Sequence, residues 1–460
     1  MSNYTCRAGK TGWGPLVGLV SARGQCIPSG SGLSSLGYRS MRRPLSETRE
    51  AEFLYETQLF PDLEYSFKHA LTHEVTYGSL LGDRRRKLNA QIVAAIERLY
   101  ADRLSEHVER LAHHALRGQL WDKAVRYGRQ SGTRALDRSA APEALVHFEQ
   151  ARAALQELPE SPERTEQLID LCFDRRNALF SLGEFARLGE IVNEARTLAE
   201  GLGDQLRLGW ALAYQAHLYT FLGEHTRAID AADSARTIGE AVGEDLPLSF
   251  VANYYLGQAF WFAGDPRRGV DPLHAAIGLV KGGSLGERFG MTGLAAVVAR
   301  WALTQVLAEG GEFAEAVATG EEGLRIAQTA DHRYSEVWGR YGLGYAHLRR
   351  GDFAAATRVL EPGLALCRGM EMRVALPFLA ASLGATYLWS GRAASAVPLL
   401  EEAVEALTTM GILGLRCLFL TFLAEAYLVL GRVADARQQA EQARWRWRAS
   451  TTSAAGEPGL

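Results

Sequence analysis

Cysteine is scarce in this chain: 460 residues hold five, Cys6, Cys26, Cys172, Cys367 and Cys417, and no two share a C-x-x-C spacing. An odd, scattered set excludes a disulfide framework and suits reduced thiols, so a cytoplasmic protein is expected. Charge of one sign is also lacking. The net charge is -3 and the pI near 6.4, which gives no general attraction to nucleic acid or to an anionic membrane. Long apolar runs are missing too. The nearest approach, residues 411–430, carries Arg416 and Glu425 and reads as a buried helix rather than a span. The first twenty residues contain Arg7 and Lys10, but Gly12, Gly14, Pro15 and Gly18 interrupt any export-signal core.

Catalytic and metal signatures are incomplete wherever they begin. Gly9-Lys10-Thr11 suggests a phosphate loop, yet Tyr4 stands where the motif needs its first glycine. His73-Glu74 starts a zinc-protease motif whose second histidine is replaced by Tyr77. His69 and His73 share a helix face, but a second pair, His113-His114, points about 100° apart on a helix of 3.6 residues per turn. The basic run Arg84-Arg85-Arg86-Lys87 lacks the further basic turns and aromatics of a nucleic-acid patch, and the tail Arg444-Trp445-Arg446-Trp447-Arg448 reads as the end of the last helix. No enzyme, cofactor or metal is expected from these residues.

What is present is a period. Gly183, Gly223, Gly264, Gly311, Gly351, Gly391 and Gly431 recur every 40 residues or close to it, and one longer interval of 47 absorbs an insertion at Lys281-Gly282-Gly283-Ser284-Leu285-Gly286. Seven residues before the glycine stands a small residue (Ala216, Gly257, Gly344, Gly384, Ala424). Five after it stands another (Ala228, Ala316, Ala356, Ala396, Ala436). A third comes twelve after it (Ala195, Ala235, Ala276, Gly323, Gly363, Ala403, Ala443). Small residues at these offsets let two antiparallel helices approach closely, with the glycine in the turn between them. Two weaker units precede the array, around Trp121-Asp122-Lys123-Ala124 and around Ala144, Phe148 and Ala151.

These offsets resemble the tetratricopeptide repeat, with a period of 40 where that family has 34. The resemblance spans about residues 105–448 and implies an all-α fold, an αα-superhelix or solenoid. Residues 449–460 read as a disordered tail. Residues 1–45, rich in Gly and Ser without periodicity, are expected to be disordered or spurious. From Ser46 the pattern reads as helical, with a short strand or turn at Tyr65-Ser66-Phe67 and a helix over residues 84–100 presenting Leu88, Ile92, Ala95, Ile96 and Leu99.

The stretch Leu59-Phe60-Pro61-Asp62-Leu63-Glu64-Tyr65-Ser66-Phe67-Lys68-His69, on through Leu81, is similar to the junction in bacterial fusions of a class III adenylate/guanylate cyclase, a STAND-type AAA ATPase and a C-terminal repeat array. Leu111-Ala112-His113-His114-Ala115 matches the entry to such arrays. That resemblance implies a helical, winged-helix-like remnant over residues 46–104, and it places His69 as a nucleotide contact. It also implies an ATPase or cyclase module as a partner, since this sequence carries no Walker loop and no paired metal aspartates. A sensor region of a STAND-type transcriptional regulator is the alternative.

The repeat motif's groove positions fall on Trp210, His217, Tyr254, Gln258, Trp261, Trp301, Gln305, Trp338, Tyr341 and Tyr345. Aromatics flanked by polar groups suit a peptide or a partner protein. The same residues would equally serve as packing between helices.

Overall fold

The computed structural model describes Gln25–Cys26, Leu54–Gln58, Glu64–Phe67 and residues 81–243 and 246–452, with side chains as far as residue 444. His69, His73, Gly9-Lys10-Thr11, Cys6 and the tail beyond residue 452 lie outside the described residues. The chain forms two compact units. The first is Met1–Arg134 with Val146–Glu160, and the second is Ala135–Leu145 with Ser161–Leu460.

In the first unit three short strands, β1 (Gln25–Cys26), β2 (Leu54–Gln58) and β3 (Glu64–Phe67), make an antiparallel sheet in the order β1-β3-β2. Gln25 pairs with Ser66, and Leu54 with Phe67. Two readings are corrected here. Part of the segment expected to be disordered is a strand, and the helical pattern read from Ser46 meets β2 at Leu54. The Leu-Tyr-Glu-Thr-Gln run holds residues that fit a pleated surface, and β3 supplies the pairing edge that a helical reading of the run leaves out. The β3 strand falls on the expected Tyr65-Ser66-Phe67.

Helix α1 (Gly82–Leu99) follows, then a 3-10 turn over Ala101–His107 and α2 (Val108–Arg117). The buried line of α1 is Asn89, Val93 and Ile96, while Leu88, Ile92, Ala95 and Leu99 are half-buried. The face is therefore turned from the expected one, because Asn89 goes inward to bond His114. The exposed basic start of α1 is tied locally, with Arg86 donating to Gln119 Oε1 at 2.7 Å.

Helices α3 (Trp121–Asp137) and α4 (Ala141–Gln156) lead to seven helix pairs in the second unit. The first helix of each pair is α5 (Pro162–Leu182), α7 (Gln205–Leu222), α9 (Leu246–Phe262), α11 (Ala295–Gly310), α13 (Arg333–Arg350), α15 (Leu376–Trp389) and α17 (Arg416–Val429). Their partners are α6 (Phe185–Leu202), α8 (His225–Ala241), α10 (Pro266–Leu279), α12 (Phe313–Thr329), α14 (Phe353–Gly369), α16 (Ala393–Met410) and α18 (Val433–Thr452). The fold is thus an all-α tetratricopeptide-like solenoid with a small strand patch at its start.

Every one of the seven turn glycines has a positive φ, from 73° at Gly183 to 87° at Gly311. That conformation is open to glycine at no steric cost. The small-residue positions are contact points. A Cβ on Gly344 would lie 2.4 Å from Leu360 Cδ2, so α13 and α14 approach as closely as a glycine permits.

The two helix sets differ in burial. Helices α9, α11 and α13 are buried almost all round, whereas α10, α12 and α14 bury one stripe. The first helices therefore form the inner layer. Within this unit the inner layer closes on itself. Phe221 of α7 meets Phe378 of α15 with ring centroids 5.9 Å apart, and the Phe221 carbonyl accepts hydrogen bonds from the Leu413 and Gly414 amides at 2.9 and 3.0 Å.

Helix α17 is not wholly buried as read from sequence. Leu428 and Val429 are 59% and 63% exposed, and Cys417 is half-buried. Among the described residues no helix is long and apolar enough to cross a membrane.

Candidate binding cleft and its aromatic interior

Because the inner layer closes, the ten groove positions do not face open solvent. Nine of them are buried, from Gln258 and Gln305 at 0% exposure to Trp261 at 7%, and Trp210 is half-buried. The structure brings them together in two groups. His217, Tyr254, Gln258, Trp301 and Trp338 wall a small internal cavity of about 30 Å³. Trp261 and Tyr345 continue the cluster beside it at 6.3 Å, and Tyr341 joins Trp301 at 5.8 Å. Trp301 and Trp338 stack at 5.1 Å with their planes 21° apart. Trp210 packs on Tyr214 at the margin, 5.5 Å away. Offset and edge-on pairs of this kind add to the stability that area burial provides.

The cavity's most distinctive wall is Arg176 of α5, 2% exposed. Its guanidinium donates to the Asn177 side-chain oxygen at 2.9 Å, to the Tyr255 hydroxyl at 3.2 Å and to His217 Nδ1. It also lies over the rings of Tyr214, Phe180 and Tyr255, at 4.6, 5.2 and 5.9 Å. Accepting at Nδ1 makes His217 a neutral imidazole with its proton on Nε2. Burial, with the neighbouring Arg176 charge, holds its pKa well below the usual histidine range. Burial likewise pushes the Tyr255 hydroxyl up.

Sequence reasoning missed Arg176, although the register pointed to it. Residue 176 stands seven before Gly183, the position that five of the other six units fill with Ala or Gly. A large cation in a small-residue position breaks the local rule, and such breaks concentrate where a site is built.

The insertion also contributes more than its composition suggests. Its first half, Gly282–Gly286, is a surface 3-10 turn. Its second half dives inward: Met291, Thr292 and Leu294 are buried, and the Gly290 carbonyl accepts hydrogen bonds from Asn177 Nδ2 and the Tyr214 hydroxyl, both at 3.0 Å. Ser335 then receives the Leu294 amide at 2.8 Å and bonds His332 Nδ1 at 2.8 Å, which ties the insertion to the start of α13.

Thr292 and Tyr334 wall this cavity and also a second, larger one. That cleft, about 410 Å³, is lined by residues 136 and 138–142, Ser181, Leu182, Arg333 and residues 369–373, all in the second unit. Its volume is that of a small-ligand or peptide-segment site. Two of its non-glycine residues, Ser139 (φ 60°) and Glu371 (φ 52°), hold the left-handed conformation that closes a helix end, as Gln119 and Asp331 do elsewhere. Arg138 is paired with Glu143 at 3.4 Å. Arg333 and Arg373 are exposed and have no carboxylate within ion-pair distance among the described residues. Glu371 is the one acidic side chain of the lining.

Comparison with known proteins agrees with this architecture. Residues 297–321, 337–362 and 418–442 match the tetratricopeptide repeat, so the chain carries repeats of that class. No curated protein matches the sequence. Among solved structures, the Rap conjugation gene regulator of the plasmid pLS20, in complex with the Phr* peptide, is similar with a TM-score of 0.53 at 15% identity, over 65% of this chain and 76% of that one. A Rap protein complexed with competence and sporulation factor gives 0.49 at 13% identity, over 72% and 99% of the two chains. A STAND protein with a tetratricopeptide repeat sensor from Pyrococcus horikoshii gives 0.47 at 12% identity, over 90% of this chain and 59% of that one. The likeness to the conjugation regulator is one of fold.

Proposed function

We propose that this chain is a non-catalytic interaction scaffold of the sensor type, which takes a short segment of a peptide or partner protein into the 410 Å³ cleft. The observation that carries this reading is the cleft itself. It opens between helix-connecting loops, and it shares Thr292 and Tyr334 with an aromatic interior built from His217, Tyr254, Gln258, Trp301 and Trp338. Trp210, Trp261, Gln305, Tyr341 and Tyr345 support that interior rather than touching the segment first. The peptide held by the similarly folded conjugation regulator is in keeping with such use of this fold.

The junction-like stretch over residues 59–81 supports a finer reading, in which the array is the sensor end of a signalling ATPase or cyclase and residues 46–104 are the remnant of its ATPase module. His69 would then face a nucleotide in that module.

The test uses exposed residues, so that folding is not at issue. Immobilised full-length chain is expected to retain members of a random hexapeptide library. Arg333→Glu together with Arg373→Glu is expected to slow association and steepen its salt dependence in the opposite sense, because rim charges act on the encounter rate. Retention that is absent, or indifferent to both reversals, would remove the cleft from consideration.

A further inference from the structure

We infer that the small inner cavity is a carboxylate-binding subsite centred on Arg176, which receives the acidic end of the ligand whose body lies in the cleft. This rests on the cleft reading above and names the chemistry that the cleft selects.

Arg176 is almost fully buried, and among the described residues no Asp or Glu oxygen lies within ion-pair distance of it. Its partners are all neutral: an amide, a phenol, an imidazole and three ring faces. Taking an ion out of water is strongly unfavourable unless it meets an opposite charge, and ring faces return only a fraction of that cost. The charge is also not alone. Arg176 Nε, both amide atoms of Gln258 and the Thr292 hydroxyl are buried without hydrogen-bond partners. All three residues wall the same cavity. Buried polar groups are nearly always paired in native proteins, so unpartnered atoms on three residues around one cavity mark a place completed by something else.

The donors identify that species. Arg176 Nε–H, Gln258 Nε2–H and Thr292 Oγ–H are three donors, and an ionised carboxylate is acceptor-only with room for about four. A water molecule could satisfy hydrogen bonds there but would leave the Arg176 charge uncompensated. Size agrees as well: about 30 Å³ accommodates a single small head group and no ring. The cavity adjoins the cleft, since Tyr334 and Thr292 line both. The unpaired Arg333 and Arg373 at the cleft draw the same sign of ligand inward, against the single carboxylate of Glu371.

The experiment has two arms on the full chain. In the first, thermal melting is followed in acetate and in chloride at matched ionic strength. In the second, the N-acetylated hexapeptide library is offered as free acids and as C-terminal amides. Acetate is expected to raise the melting temperature of the wild-type chain, since a ligand that binds only the folded state stabilises it. Arg176→Met is expected to melt no lower than wild type in chloride, to lose the acetate effect, and to stop preferring acidic peptides. Thr292→Val, nearly isosteric, keeps the fold and is expected to weaken the acetate response several-fold.

An acetate effect of equal size in Arg176→Met overturns the subsite. So does a wild-type chain that responds equally to acetate and chloride and retains free acids and amides alike. Peptides retained equally by wild type and Arg176→Met overturn the subsite and leave the scaffold reading standing. An Arg176-dependent acetate effect with no peptide retained supports the subsite with a free small carboxylate as its occupant, and it sinks the scaffold reading instead.

Discussion

Single residues here carry a pH response. His114 is 2% exposed, donates from Nδ1 to Asn89 Oδ1 at 2.8 Å and is held down to about 3 by burial and by the neighbouring His113, Arg110 and Arg117. His113 and His332 are held down to about 4, in each case first by burial. In the unfolded chain these rings take up a proton near 6.5, whereas the folded protein refuses it. Between those values the unfolded state binds more protons, so stability is complete above about pH 6.5 and is lost as pH falls toward 4. A fully buried ring adds at most about 1.4 kcal/mol per pH unit to that slope. Urea midpoints measured at pH 7 and pH 4.5 should therefore differ, with the lower one in acid, and His114→Gln should narrow the gap. Equal midpoints would mean that these rings protonate in place. The histidines were visible in the sequence, but their neutrality was not, because desolvation is a property of the packed state.

Among the elements, the insertion separates a legible half from an illegible one. Its position followed from the 47-residue interval, and the Gly-Gly-Ser-Leu-Gly run read there as an insertion is a surface 3-10 turn. Nothing in the pattern said that residues 290–294 would fold into the interior, since the partners of the Gly290 carbonyl are Asn177 and Tyr214, more than seventy residues away. Met291, 7% exposed, is expected to cost about 2–5 kcal/mol as Met291→Ala, the range for truncating a buried long side chain. Replacing Lys281–Gly286 by a short Gly-Ser linker should shift the urea midpoint little. If the two changes cost the same, the inward half is not packed as described. The turn between the helices of each pair shows the contrary case. There glycine and small-residue spacing alone placed seven turns, because the requirement is local and steric.

At the scale of the second unit, the decisive contact is between distant repeats. The connection between α16 and α17 lies against the end of α7, where Leu413 and Gly414 donate to the Phe221 carbonyl. A Cβ on Gly414 would come 2.6 Å from the Thr220 carbonyl oxygen and 2.7 Å from the Phe262 ring. An open solenoid is held only by neighbours and unravels from its ends. This closure couples α7 to α17, so Leu413 and Gly414 amides should exchange hydrogen as slowly as core amides. Gly414→Val is expected to speed that exchange and to lower the cooperativity of unfolding, both read by hydrogen-exchange mass spectrometry. Fast exchange in the wild-type chain would show that the closure is not maintained in solution.

The same closure explains which parts of the site could be read in advance. The ten groove positions were legible as a set because the repeat register assigns them to inner helices, and the structure does gather most of them. Whether they meet a partner or one another depends on the curvature accumulated over several repeats, which no single repeat encodes. Arg176 and the cleft depend on it even more, since their neighbours come from α5, α7, α9, the insertion and the loops at residues 136–142 and 369–373. The sequence by itself determined the repeat, its turns and its inner and outer helices, through local sterics and periodic burial. Only the tertiary structure decided that the inner face closes and sets a buried cation beside unpaired polar groups, next to a cleft that shares Thr292 and Tyr334 with it. Those outcomes come from contacts between residues far apart in the chain, where no short-range pattern acts.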